Sequence, residues 1–479
     1  MRIGVVLLIA KQFLSSLLKS RAIYFLFGIM GLLLFYAASS GISYHDQNHF
    51  RSHHQEVARK SWEENPDKHP HRMAHYGTFA FRQKHPLSIF DFGIESFTGN
   101  AVFLEAHKQN SVNFSEASFS TGLLRFGELS MAMVLQVLLP LIIFFLGYTT
   151  VVADRENGTL KILLSQGASW KEILFGRSLG LLGIGSFFTL TFLLVSLALL
   201  IMEGHAAGDT YLRFGLLSLT YLLFTAILCF LCVFVSASSQ SSKNALVKLL
   251  GLWLLMVILI PRTAQAIGSY LYQTPNKIEF KASIEEEVIK KGDSHDPDDP
   301  LFNSLKDSIL AVHKVNSVDE LPFNYGGFIM AQGEEISATI YSKHQNWLLD
   351  QYRKQNQLTR LLAIINPYLS VKNLSMAFAA SDFESYVAFQ LQAEKYRYKM
   401  AQKMNTLQME YIRAGVNSSE GKIDVVDRAE WKAFPDFQHE FVPASSALEN
   451  EILSLLSLLI WTLLSVWALF YLSRNAKAI

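Results

Sequence analysis

Residues 129–202 read LSMAMVLQVLLPLIIFFLGYTTVVADRENGTLKILLSQGASWKEILFGRSLGLLGIGSFFTLTFLLVSLALLIM, two long apolar runs around a short charged segment. The runs 129–153 and 178–202 contain no Asp, Glu, Lys or Arg. An α-helix needs about 20 such residues to cross the hydrocarbon core of a bilayer. The stretch therefore predicts two membrane-spanning helices joined by a polar segment that stays outside the bilayer.

The same pattern recurs elsewhere in the chain. Uncharged runs occupy 22–40, 214–237 and 452–473, and a further run, 245–261, carries only Lys248. A lysine near the end of a span can reach the interface with its long side chain. The sequence therefore predicts a mainly α membrane protein with six transmembrane helices.

The distribution of basic residues orients these helices. Lys and Arg occur without acidic residues in 1–21, in 238–248 and in the tail 474–479, and loops of this kind face the cytoplasm. Both termini and the segment 154–177, termed the connector, are then cytoplasmic. The predicted order is an interfacial helix (1–21), span 1 (22–40), a first insert (41–128), span 2 (129–153), the connector (154–177), spans 3 to 5 (178–202, 214–237 and 245–261), a second insert (262–449), span 6 (450–473) and a cytoplasmic tail (474–479).

The first 21 residues predict an amphipathic helix in the cytoplasmic interface. Lys11, Ser15 and Lys19 recur at helical spacing with leucines opposite. The two cysteines, Cys229 and Cys232, lie within the fourth apolar run, where they are expected to pack as small apolar side chains.

Histidines concentrate in the first insert, which holds eight of the 14 between positions 45 and 85. His45, His49 and His53 are spaced so that they share one helix face, where they would either hold Zn²⁺ or Cu²⁺ or form a solvated surface. His71 and His75 lie near Pro70 and Gly77 and are expected on a turn.

Several classes of activity are disfavoured by missing patterns. The sequence has no phosphate-binding loop of the Gly-x-x-x-x-Gly-Lys-Ser/Thr type, so we expect no ATP hydrolysis by this chain alone. It has no zinc-protease or serine-hydrolase motif, which indicates that the chain is not an enzyme. The predicted spans lack interior carboxylates, which disfavours an ion-coupled carrier, and no basic patch suggests nucleic acid.

The connector carries features of a docking element. Ser169 and Glu172 have the spacing of a helix capping box. Leu160 and Ile162 supply apolar side chains among charges of both signs, which suits a groove on another protein.

DRENGTLKILLSQGASWKEILFGRSL, residues 154–179, resembles the Glu-Arg-Glu-x-Gly-Thr-Leu connector of ABC-2 type permeases. The resemblance implies a six-helix fold like that of type V exporters, in the bacterial inner membrane. It also implies that the connector docks on a separate ATP-binding subunit, which holds the ATP and Mg²⁺, and that a second permease chain, identical or related, completes the transporter within membrane lipid. The residues that carry over are Asp154, with Asp in place of the commoner Glu, together with Arg155, Glu156, Gly158, Thr159 and Leu160.

Two further stretches, PHRMAHYGTFAF (70–81) and LPFNYGGFIMAQGEE (321–335), resemble a bacterial subgroup of these permeases with a large, mostly helical extracytoplasmic insert of unassigned function. This favours a shared structural or binding role for His71 and His75 over a chance pairing. The metal-ligand candidates are therefore His45, His49, His53, His71 and His75.

The resemblance implies ATP-driven export of an unidentified substrate. Two alternatives remain open at this point. The inserts are large enough for a mechanical device that acts on a periplasmic partner without transport, and the histidines suit metal-linked, in particular copper-linked, work.

Overall fold

The computed structural model describes residues 1–110, 129–204, 208–294, 296, 298–412 and 425–475, with the backbone alone at 44, 45, 203 and 475. Within them the chain is mostly α-helical. The prediction of a mainly α protein is confirmed.

In the described part of the chain, six helices are long and apolar enough to cross a membrane, the number that the sequence predicts. Span 1 is longer than expected, because its helix continues into the first insert and is 43 residues long in all, a length of about 65 Å. The spans are Arg21–Glu63, Met131–Glu156, Trp170–Met202, Gly208–Ser238, Ser242–Leu271 and Ile452–Arg474.

The helix before span 1, Ile3–Leu18, packs closely against span 3. Gly176 and Gly180 permit this approach. A Cβ at Gly176 would lie 2.7 Å from the Ile9 side chain, and one at Gly180 would lie 2.8 Å from the ring of Phe13. The two glycines are therefore required by packing between helices.

Span 5 contains one π-helical turn, Leu255–Leu259, just before Pro261. Proline has no N–H and cannot continue the regular ladder of hydrogen bonds. Asn366 donates from its side-chain amide to the Met256 carbonyl at 2.8 Å, which supplies a partner within this turn.

Described parts of the two inserts fold together and are termed the insert domain. Its two-stranded antiparallel sheet pairs β1 (Thr78–Phe81) with β2 (Ala101–Leu104). Trp62 and Trp431, one from each insert, are fully buried in a shared apolar core. Its helices, apart from the end of span 1, are Pro70–Tyr76, Lys277–Lys291, Pro300–His313, Tyr325–Leu362, Pro367–Phe378, Phe383–Tyr411, Ala429–Lys432 and Ala444–Asn450, with 3₁₀ turns at Pro86–Ile89 and Val318–Glu320.

One helix of the second insert, Pro367–Phe378, lies among the spans and is termed the wedge helix. Ten of its twelve residues are buried. Ser370 donates a 3.1 Å hydrogen bond to Ser457 of span 6, and Arg213 of span 4 donates to the Ala377 carbonyl at 3.0 Å. The insert domain is thereby anchored inside the bundle of spans.

Candidate functional site

The connector forms two short helices, of which the first, Val152–Glu156, ends span 2 and the second is Thr159–Ser165. Gly158 (φ +75°) and Gly167 (φ +87°) stand at the two bends around the second helix. These left-handed conformations favour glycine, since a Cβ would strain the backbone. The turn chemistry of the sequence thus fixes where the connector bends.

Arg155 closes the end of span 4. Its guanidinium donates to the carbonyl of Ser239 at 2.6 Å and to that of Ala237 at 2.8 Å. The last carbonyls of a helix lack partners within the helix and carry partial negative charge, so a guanidinium is a favourable cap.

The two acidic residues beside Arg155 contact two other spans. Glu156 accepts hydrogen bonds from the Ser242 backbone N–H at 2.8 Å and from its hydroxyl at 2.5 Å, at the first turn of span 5. Asp154 pairs with Arg177 near the start of span 3 at 2.5 Å. The charged half of the motif therefore binds the ends of neighbouring spans.

The predicted capping box is present at the start of span 3. The Glu172 backbone N–H donates to the Ser169 hydroxyl at 3.3 Å, and the Glu172 carboxylate accepts from the Ser169 N–H at 2.9 Å. The same carboxylate accepts from the Arg2 backbone N–H at 2.7 Å, and the Arg2 guanidinium also donates to the Gly167 carbonyl. These hydrogen bonds of Arg2 bind the N-terminus to the connector.

The remaining motif residues divide between core and surface. Leu160 is fully buried in a small apolar cluster with Ile9 and Ile173, so it packs inward and is not part of the exposed surface. Thr159 is exposed, and 56% of Ile162, outside the motif, is accessible. The exposed face of the second helix therefore includes Thr159 and Ile162.

A separate cluster lies in the insert domain, where His71, His75 and His107 come together. One ligand nitrogen from each lies within 4.8 Å of the others. The ring centroids of His71 and His75 are 4.7 Å apart, and that of His107 lies 5.7 and 5.4 Å from them. Sequence reasoning selected His71 and His75 but missed His107, which no local spacing connects to them.

His71 and His75 lie on the helix Pro70–Tyr76, so the expectation of a turn was wrong. Proline fits the first helical position because its fixed φ suits the helix and its missing N–H has no partner to lose. The side chain of His69 accepts from the His71 N–H at 3.2 Å and acts as the N-cap. The two histidines, four residues apart, therefore share one helix face.

His107 follows strand β2 in a tight turn with φ +61°. The turn is closed by an antiparallel bridge between Glu105 and Lys108. The Ala106 N–H donates to the Ala74 carbonyl at 3.1 Å, which fixes this turn beside the histidine-bearing helix.

A buried ion pair between Glu334 and Arg397 contacts His107. The Glu334 carboxylate accepts from the His107 backbone N–H at 2.9 Å and lies 3.3 Å from its Nδ1. Arg397 lies 2.7 Å from the other carboxylate oxygen, and both charged side chains are fully buried. Burial alone would raise the pKa of Glu334, but the hydrogen bond from His107 and the charge of Arg397 lower it to about 2.

Of the other proposed metal ligands, His49 and His53 do not join this cluster. His49 and His53 are exposed on the continuation of span 1, and the side chain of His45 lies outside the described residues. In the described part of the chain, three histidines meet at metal-binding distance only around His107.

A cavity of about 850 Å³ opens beside His107. Its walls come mainly from the helices Lys277–Lys291, Tyr325–Leu362 and Phe383–Tyr411. Phe280, Tyr341 and Tyr352 line it with aromatic rings. A space of this size and polarity suits an organic ligand.

Residues 277–440 match the model of a family described as a domain of unknown function, DUF3526. The match covers the second insert from the start of Lys277–Lys291 and includes the wedge helix, Glu334 and Arg397. No curated protein matches the chain.

Proposed function

We propose that this chain is the permease subunit of an ATP-driven, ABC-2 type transporter of the bacterial inner membrane. Its substrate is exported, and a separate ATP-binding subunit, which carries ATP and Mg²⁺, docks on the connector. Six apolar helices and the likeness of residues 154–179 to the coupling element of such permeases support this assignment.

The observation that carries the proposal is the way the connector binds the ends of the spans. Asp154 contacts span 3, Arg155 contacts span 4 and Glu156 contacts span 5, while the connector itself continues span 2. A force applied to this segment would therefore move four spans together. A plain loop between two helices needs none of these contacts.

The exposed face of the connector supplies the docking surface for the ATP-binding subunit. Ile162 is exposed, as are the nearby polar residues Lys161 and Gln166. An apolar anchor within a polar rim is the usual composition of a protein interface.

A second permease chain has room to bind along spans 1 and 5. In the most apolar stretch of span 1, and likewise of span 5, only 17% of the residues are buried within the chain, against 67% in span 2. These faces remain for lipid and for the second copy or a related chain.

Replacing Ile162 with Glu tests the proposal. A charge at the centre of the docking surface is expected to reduce co-purification of the ATP-binding subunit at least tenfold. Lys19→Glu is the matched control, since it changes charge at the far end of the N-terminal helix. Retention of the ATP-binding subunit by Ile162→Glu would contradict the proposal.

A mechanical device is the second candidate, and the wedge helix favours it. Arg213 of span 4 donates to the carbonyls of Ala377 and Phe378 and binds Asp209, so span 4 is tied directly to the insert domain. Movement of the spans would then move the insert domain against a periplasmic partner. Hydrogen exchange of the complex with and without ATP should change in the wedge helix and in Phe383–Tyr411; unchanged exchange there would exclude this candidate.

A further inference from the structure

We infer that His71, His75 and His107 form a binding site for a divalent transition-metal ion of the Zn²⁺ and Cu²⁺ type. The inference rests on the insert domain alone and is independent of the role of the connector.

The donor set suits such an ion. Imidazole nitrogen is a preferred ligand of Zn²⁺ and Cu²⁺, and three histidines with one open position form a recurrent metal site. Nitrogens bound to a tetrahedral Zn²⁺ lie about 3.3 Å apart. The three nitrogens here lie within 4.8 Å of one another, so side-chain movements of about 1 Å would close the site.

The scaffold holds the ligands on two fixed elements. His71 and His75 stand on one face of the helix Pro70–Tyr76, whose Met73 and Ala74 are buried in the domain core. His107 is held in its left-handed turn by the Ala106 to Ala74 hydrogen bond. This arrangement brings together residues more than 30 positions apart in the sequence.

Glu334 selects the form of His107 that binds metal. Its carboxylate lies 3.3 Å from Nδ1, which favours the tautomer with the proton on Nδ1 and leaves Nε2 as the nitrogen to bind the ion. Carboxylate, histidine and metal in series are the usual arrangement at such sites, because the carboxylate orients the ring and raises its basicity. Arg397, 2.7 Å from Glu334, stabilises the carboxylate in its charged form.

The position of the cluster makes the site open to exchange. His75 is exposed to solvent, and His107 also lines the cavity of about 850 Å³. Water or a ligand held in the cavity can occupy the fourth coordination position. The geometry therefore points to an ion that is bound reversibly, unlike one buried to hold the fold together.

Calorimetric titration of the metal-stripped, tag-free full chain in detergent with Zn²⁺, and separately with Cu²⁺, tests the site. We expect one strong site per chain for at least one of the two ions. His75→Ala, an exposed substitution, should weaken that binding at least tenfold, and His53→Ala, an exposed histidine of span 1, should leave it unchanged. Equal affinity in His75→Ala and the wild type, or no strong site for either ion, would overturn the inference.

Glu334→Gln separates the supporting carboxylate from the ligands. It keeps the shape of the side chain but removes the charge that orients His107, and a loss of 10- to 100-fold in affinity is expected. Because this residue is buried, the variant is compared by thermal unfolding without metal. A folded Glu334→Gln protein with wild-type affinity would contradict the orienting role, while His75→Ala still decides the site itself.

Discussion

Arg155 shows at the scale of single residues how one side chain serves both fold and proposed function. The resemblance assigned it to a docking motif, and the structure places its guanidinium on two carbonyls at the end of span 4. Arg155 would then contribute to coupling without touching the ATP-binding subunit, because its hydrogen bonds hold the connector rigidly to the end of span 4.

Arg155→Ala should destabilise the protein without releasing its partner. The loss of two charge-assisted hydrogen bonds is expected to cost about 1–3 kcal/mol, seen as a lower unfolding temperature. Ile162→Glu should show the opposite pattern, with normal stability and lost binding. If Arg155→Ala lost the ATP-binding subunit at unchanged stability, its side chain would have to face the partner directly.

His85 makes stability depend on pH. It is 4% exposed, and burial together with the charge of Arg213 lowers its pKa to about 3. The unfolded chain takes up a proton below about pH 6.5, which the folded chain resists, so stability falls as the pH falls from 6.5 towards 3. The loss at pH 5 is about 2 kcal/mol relative to pH 7.

His85→Asn tests this dependence. Asparagine can replace the Nδ1 that accepts the Leu87 N–H, 3.2 Å away, but it does not titrate. The drop in unfolding temperature between pH 7 and pH 5 should be smaller in the variant by a few degrees. An equal drop in both proteins would show that other groups dominate.

The sequence alone predicted part of the connector site and part of the histidine cluster. The Asp154–Leu160 motif was visible because its residues are contiguous, although their internal contacts were not. His107 was invisible, because it lies 32 positions after His75 and reaches the cluster only through the pairing of β1 with β2.

At the scale of elements, the spans were predictable because long uncharged runs permit little else. The extension of span 1 to Glu63 was not predictable, because the second half of this helix is polar and lacks the apolar run that indicates a membrane span. The helix Pro70–Tyr76 was missed because seven residues are too few to show a helical period and Pro70 suggested a turn.

Gly180→Leu should release the N-terminal helix from span 3. Its Cβ would lie 2.8 Å from the Phe13 ring and 2.9 Å from the Ala10 carbonyl oxygen, and overpacking of this kind costs about 1–3 kcal/mol. Trypsin should then cut faster after Lys11. Gly183→Leu on the same span is the control, because its nearest neighbour is 3.9 Å away; equal cleavage in the two variants would argue against close packing.

Across the whole molecule, the connector and the insert domain are joined through the spans. The connector holds the ends of spans 3, 4 and 5, and span 4 reaches the wedge helix through Arg213. The sequence did not predict this path, because the polar residues Ser370, Asn373 and Ser375 leave the wedge helix without an apolar run like that of a span. Their hydroxyl and amide groups instead pair with other buried polar groups, Ser370 and Asn373 with serines of span 6.

Labelling of Ile162→Cys with a membrane-impermeant maleimide tests the central claim, that the connector lies in the cytoplasm and is bound by an ATP-binding subunit. The native Cys229 and Cys232 are fully buried, so the introduced thiol should account for the signal. We predict labelling in inverted membrane vesicles but not in intact spheroplasts, and protection when the ATP-binding subunit is bound. Labelling in intact spheroplasts, or no protection by the subunit, would contradict the account.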